Sequence, residues 1–393
     1  MSKASGSDRP LSIALVSTQT GWRGGEVQAA LLARGLRARG HRCEVLARRG
    51  GELARRLADE GIPVHTFSGK GRSPLGLWQI RRFLTRLAPD VLHANDSHAL
   101  TAAGLAGLGL PIAARVASRR VEFPLHSPRK YERLADRVVC VSQHVAHVCR
   151  EQGLAEQRLR VVYDGVDPAR VAAGCRSRGR QKLGLAPQQR LLLTVGALDS
   201  SKGHAFLLAA LPAVLARFPE VVVAIVGEGP LADSLAKTAR HLRVDRRVRW
   251  LGYRNDVADL IQAADLFVLP SCREGLGSSL IDAMLAEAPI VTTTAGGITE
   301  LVGPLRGEAK VAWTVPPSVV QQLSAAILSA LDSPELCAIR SAAAQSRARR
   351  LFTADCMVES TLSVYREVLA RSDVQPWRPG KTTISKRQQR QAG

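Results

Sequence analysis

The chain has 393 residues, enough for two domains with separate cores, and its 46% apolar content excludes a disordered polyelectrolyte. Seven cysteines contain no C-x-x-C pair, which argues against a zinc ribbon and fits a reduced, cytosolic protein with buried thiols. The formal charge of +21 is uneven: residues 1–180 hold 27 Arg and 3 Lys against 15 acids, a net +15, residues 371–393 carry +5, and the middle carries +1.

That asymmetry has two readings, an anionic surface met by one half or an arginine-rich composition alone. The N-terminus MSKASGSDRP is polar and the apolar run after it, Leu11–Val16, is only strand length, so neither a signal peptide nor a membrane span is expected.

The first strand is expected at Leu11–Ser17, followed by the loop TQTGWRGGEVQ and an amphipathic helix to about Arg39. Cys43–Ala47 and Val64–Phe67 read as further strands, alternating with helices over Glu52–Glu60 and Leu75–Leu87. A strand then ends near His93, and a helix begins near Ser97. Val138–Ser142 and Val161–Val162 continue a parallel sheet. Ser118, Arg119 and Arg120 precede a charged loop; paired arginines suit a phosphate or carboxylate, or simply form a solvated face. His144 and His147 lie three apart on a helix, with no further group to complete a zinc site.

Residues 172–187, AAGCRSRGRQKLGLAP, are basic and contain glycine, and are expected as a linker between domains spanning 1–171 and 188–351. The alternation restarts at Leu191–Val195, with further strands at Val221–Val226 and Val248–Gly252. Helices are expected over Pro317–Leu331, Pro334–Leu351 and Phe352–Leu369. The tail 371–393 has no apolar period and is expected to be disordered.

The most informative stretch is Leu266–Glu300, LFVLPSCREGLGSSLIDAMLAEAPIVTTTAGGITE. Leu266–Leu269 is a buried-strand run, stopped by a proline and followed by a loop with Glu274, Gly275 and Gly277. From Ser278 the spacing of Leu280, Ile281, Met284 and Leu285 is helical. Ile290–Val291 then leads to Gly296–Gly297. Backbone amides at a helix start favour a phosphate, glycines allow close approach, and carboxylates accept from sugar hydroxyls.

Glu274, seven residues, Asp282 and then Ala283–Met284 resemble the signature of retaining GT-B glycosyltransferases of family 4, with aspartate in place of the second glutamate. The resemblance implies an α/β GT-B fold, two Rossmann-like domains facing a cleft, with a last helix (352–370) crossing back onto the first domain. It implies that Glu274 contacts the transferred sugar and Asp282 the ribose. Gly275, Leu276, Gly277, Ser278 and Ser279 would then line the phosphates.

GALDSSKGH, beginning at Gly196, matches the family's G-R-L-x-x-x-K-G, so Lys202 would bind the diphosphate, while Ala197 stands where the family has arginine. Arg273, beside Glu274, is a candidate substitute. Gly24–Gly25 resemble the loop between donor phosphates and acceptor. Tyr253 and Arg254 would border the nucleobase. The family's sugar-side histidine position is Asn95 here, so either Asn95 or His98 takes that role. YDGVDP resembles the family's N-G-V-D turn, with Asp164 for asparagine.

The function expected is metal-independent sugar transfer from a nucleotide-diphosphate-sugar, without a further cofactor, to a glycan or lipid-linked acceptor. Arg119 and Arg120 are the acceptor candidates, and the basic half would rest on an anionic membrane from the cytoplasmic side. A GT-B sugar-nucleotide epimerase is the alternative. Nucleic-acid binding ranks last, because only 4% of residues are aromatic and stacking platforms are lacking.

Overall fold

The computed structural model describes residues 9–69, 71–125, 127–303 and 309–371. The tail expected to be disordered therefore lies, from 372 onward, outside the described residues. In the first half the apolar runs become β1 (Ser12–Ser17), β2 (Arg42–Arg48), β3 (Val64–Phe67), β4 (Val91–Ala94), β5 (Ala114–Arg119), β6 (Arg137–Cys140) and β7 (Leu159–Val161). They form a parallel sheet in the order β3-β2-β1-β4-β5-β6-β7. The second half contributes β8 (Arg190–Val195), β9 (Val221–Val226), β10 (Val248–Trp250), β11 (Leu266–Leu269), β12 (Ile290–Thr293) and β13 (Trp313–Val315), in the order β10-β9-β8-β11-β12-β13.

Helices cover both faces of each sheet, which is why the strands read as continuous apolar runs rather than alternating ones. Each strand order reverses beside the half's first strand. Loops leaving β1 and β4 on one side, and β8 and β11 on the other, therefore flank switch-point crevices where α/β sheets bind ligands. This is the expected two-domain α/β architecture.

The last helix, Ala354–Leu369, belongs structurally to the first half. Met357, Val358, Leu362, Tyr365 and Val368 recur at helical spacing and pack in one cluster with Ile13, Leu15, Leu36 and Val45. A side chain at Gly35 would overlap Val358, so glycine permits the close crossing. Arg39 pairs with Asp355 at 2.9 Å and Glu359 at 2.5 Å along the same seam.

The segment expected as a linker, 172–187, contains a helix that packs on the second half. Residues Arg176–Lys182 form a helix against the helix Val257–Ala263, and a side chain at Gly179 would overlap the Asp259 carbonyl. Arg178 and Lys182 both pair with Asp259, at 2.5 and 3.0 Å, and Arg176 pairs with Asp265 at 2.5 Å. The basic character of the segment serves acids some 80 residues away rather than solvent.

One polar group crosses the first core. His93 on β4 is buried, its Nδ1 2.5 Å from the Tyr365 hydroxyl and its Nε2 2.7 Å from Ser118 Oγ. Burial, with Arg120 adding repulsion, lowers its pKa to about 3. The unfolded chain takes up a proton at an ordinary histidine pKa, so the stability given by neutral His93 is complete above about pH 6.5 and drains as pH falls towards 3. His204, lowered by burial to about 4, acts in the same direction. Between pH 7 and pH 5 each histidine should cost about 2 kcal/mol, read as the urea midpoint. The profile of His93→Gln should be shallower over that interval by about the 2 kcal/mol assigned to His93; an unchanged slope would contradict this account of His93.

Candidate active site

Lys202 ends a short 3₁₀ turn after β8 that Asp199 caps, its carboxylate accepting from Ser201 N at 2.9 Å and Ser201 Oγ at 2.6 Å. Gly203 follows at φ +66°, where a side chain would overlap the Pro270 carbonyl, so the turn packs directly on the loop leaving β11. Cys272 N and Arg273 N both donate to Ser201 O, at 2.7 and 3.1 Å. These contacts bring Lys202 Nζ to 2.5 Å from Glu274 Oε1, which also accepts from Ser271 Oγ at 3.1 Å. The lysine and the acid, 72 positions apart, form one ion pair because β8 and β11 are adjacent strands. Gly196 forms the floor beneath the lysine stem; a Cβ there would sit 3.4 Å from Lys202 Cδ.

The helix Ser278–Leu285 starts four residues beyond Glu274, after Gly277 at φ +98°. Leu276 is buried under the loop, and Ser278 and Ser279 stay partly accessible at the helix start. Gly24 of the first half faces this point, for a Cβ on it would lie 3.7 Å from Ser278 Oγ. The two glycine loops therefore meet across the cleft.

A side chain at Gly275 would overlap the carbonyl oxygen of Arg120, so glycine at this position also allows the two halves to touch. Asp282, one turn into the helix, is bonded to Arg170, which follows the turn at Asp164–Asp167. Burial raises the Asp282 pKa, and Arg170 opposes that rise. Arg170 carries no sequence motif, and only the apposition of the halves reveals it.

The other predicted residues divide. Asn95 is buried; its Nδ2 donates to Gly25 O at 3.1 Å and its Oδ1 accepts from Arg120 Nη1 at 2.7 Å. Its amide shapes the first glycine loop. His98 is exposed at the start of helix Ser97–Ala106, with its backbone N–H capped by Asp96.

Neither arginine of the expected acceptor pair is free. Arg119 is buried and donates to Phe123 O, and Arg120 also donates to Asp164 at 3.1 Å. Arg254 is turned onto Asp256, at 2.7 and 2.8 Å, while Tyr253 is 48% exposed. Arg273, the candidate substitute for an arginine at 197, lies over Phe123 at 5.3 Å and 3.9 Å from Glu122.

Two further cross-cleft contacts went unpredicted. Glu300, on the short helix Ile298–Val302 after the Gly296–Gly297 loop, accepts from Gln143 N at 2.7 Å and His144 N at 2.8 Å, placing its charge on a first-half helix start. Arg56 stacks on Trp22 at 4.4 Å and reaches the Tyr253 hydroxyl at 3.4 Å. His144 binds Glu122 at 3.0 Å and His147 is exposed. Among the described residues no group of three or more His, Cys, Asp or Glu is placed to hold a metal.

Residues 22–170 match the family model for Glycosyltransferase Family 4, and residues 176–347 match that for Glycosyl transferases group 1. Each half therefore resembles a glycosyltransferase domain. The chain is 35% identical over 215 residues to a glycogen synthase of Mycobacterium tuberculosis, a match covering 54% of this chain and 49% of the relative. It is 29% identical over 180 residues to the lipopolysaccharide core biosynthesis glycosyltransferase LpsE of Rhizobium meliloti, covering 46% and 50%. The chain spans about half the length of the curated relatives it matches. Anabaena HepE, solved with UDP and glucose, superposes with a TM-score of 0.79 at 22% identity, over 91% of this chain and all of that one. The chain accordingly has the GT-B fold.

Proposed function

We propose that the chain transfers a sugar from a nucleotide-diphosphate-sugar to a hydroxyl of a lipid-linked or lipopolysaccharide glycan, with retention at the anomeric carbon. The carrying observation is the Lys202–Glu274 pair at 2.5 Å, beside the Ser278 helix start and facing the Gly24–Gly25 loop. A donor entering this crevice exchanges the pair for two separate partners: Lys202 turns to the diphosphate and Glu274 to sugar hydroxyls. Asp282 then leaves Arg170 for the ribose.

The bond between the anomeric carbon and the diphosphate breaks, with its electron pair on the leaving oxygen. The acceptor oxygen bonds to the same face and passes its proton to that leaving phosphate. No dedicated base is required, and Lys202 with the helix amides offsets the developing charge without a resident metal. UDP-bound HepE and the lipopolysaccharide enzyme LpsE support this choice of donor and acceptor class. A panel of UDP-, GDP- and ADP-sugars tests the reading by thermal shift, since a true donor raises the melting temperature by mass action. No shift with any of them would overturn it.

We also propose that the first half rests on an anionic leaflet on the cytoplasmic side of the membrane. Leu75 and Trp78 are more than half exposed on the helix Pro74–Leu87, which carries Arg81, Arg82 and Arg86 and no acid. An aromatic among arginines suits a headgroup region. Among the described residues no helix is long and apolar enough to cross a membrane. The protein should co-sediment with anionic vesicles at low salt and leave them above about 0.5 M salt, where screening is only a few ångströms. Equal retention by neutral vesicles, or binding to neither, would contradict this.

A further inference from the structure

We propose that Arg23 supplies the second positive charge on the donor diphosphate, in place of the arginine absent at position 197. The proposal rests on the nucleotide-sugar reading of the cleft. Ala197 leaves Lys202 as the charge expected on the diphosphate, and Lys202 is itself held by Glu274. Three other cations along the cleft are engaged by groups that the donor does not displace: Arg254 by Asp256, Arg120 by Asp164 and Asn95, and Arg273 over Phe123; Arg170 lies against Asp282, at the position assigned to the ribose. Arg23 is exposed, and among the described residues its guanidinium has no ion-pair partner.

Its position is fixed from both sides. Trp22, before it, lies under Arg56, whose guanidinium reaches the Tyr253 hydroxyl at 3.4 Å on the nucleobase-side loop. Gly24, after it, faces Ser278 Oγ at the start of the phosphate-side helix. Residue 23 therefore lies between the two ends of a nucleotide. Its own backbone is tied down, the N–H donating to Glu26 Oε2 at 3.1 Å and the carbonyl accepting from Glu26 N and Val27 N, both at 3.0 Å. This leaves the side chain as the mobile part. A guanidinium is always charged and offers a planar fork of donors matched to phosphate oxygens. Carried on the opposite half, it engages the diphosphate only when the cleft is closed, so its charge arrives with the acceptor side in place.

The full-length protein is titrated with UDP, GDP and ADP and with the matching monophosphates. For the tightest diphosphate, Arg23→Gln should raise Kd about tenfold, the worth of a charge-assisted bond, and should change the monophosphate by less than about threefold. Adding Ala197→Arg to Arg23→Gln should restore most of the loss, because position 197 is exposed and can carry the charge from the donor side. Unchanged diphosphate binding in Arg23→Gln, equal losses for mono- and diphosphate, or no recovery in the double variant would each overturn the role of Arg23. If the unsubstituted protein binds no nucleotide, the nucleotide-sugar reading fails and this role fails with it.

Discussion

Lys202→Ala should lower turnover about a hundredfold, the usual effect of deleting one donor aimed at charge that develops in a transition state, ~3 kcal/mol. Nucleotide binding should fall less, since the diphosphate gains charge as the sugar bond breaks. The same change acts on the free protein. It leaves Glu274, only 7% exposed, without its cation, and an uncompensated buried carboxylate is costly. The melting temperature should therefore fall as well. Glu274→Gln in the Lys202→Ala background should recover the melting temperature while turnover stays low, separating the electrostatics of folding from those of catalysis. Turnover within threefold of the parent in Lys202→Ala would remove Lys202 from the diphosphate.

Gly275→Ala should have an effect of similar size for a different reason. The added methyl would overlap the Arg120 carbonyl, so the two halves must separate at the point where the glycine loops meet. A displacement near 1 Å in a site that aligns two substrates costs about a hundredfold in rate. Because the contact lies between the halves and not within either core, the melting temperature should change little. Parent-like turnover in Gly275→Ala would mean that the closed arrangement is not the catalytic one.

These two positions mark what the sequence discloses and what it withholds. Strand, glycine loop and helix are local patterns, so the sheet, the Lys202 turn and the loop from Glu274 to Ser278 were legible without a structure. The contact that Gly275 makes with the other half was not legible, because the group that demands a glycine, the Arg120 carbonyl, lies 155 positions earlier in the chain. The same separation hid the Arg170–Asp282 bond and the Glu300 contact with the helix at Gln143. Arg119 and Arg120 looked like an acceptor clamp because their partners, Phe123 O, Asn95 and Asp164, are set by loop folding and strand order. The packing of residues 172–187 was not legible either, because their charges pair with Asp256, Asp259 and Asp265, some 80 positions later. Periodicity reports on an element; it carries no information about which distant element meets it.

The most direct test of sugar transfer is release of free nucleoside diphosphate from each donor that stabilises the protein, with and without added lipid-linked glycan extract. The account predicts slow release alone, acceleration when acceptor is present, product carrying the donor's anomeric configuration, and loss of the acceleration in Lys202→Ala. Release that ignores the acceptor and yields a free epimerised sugar, or no release from any donor, would contradict it.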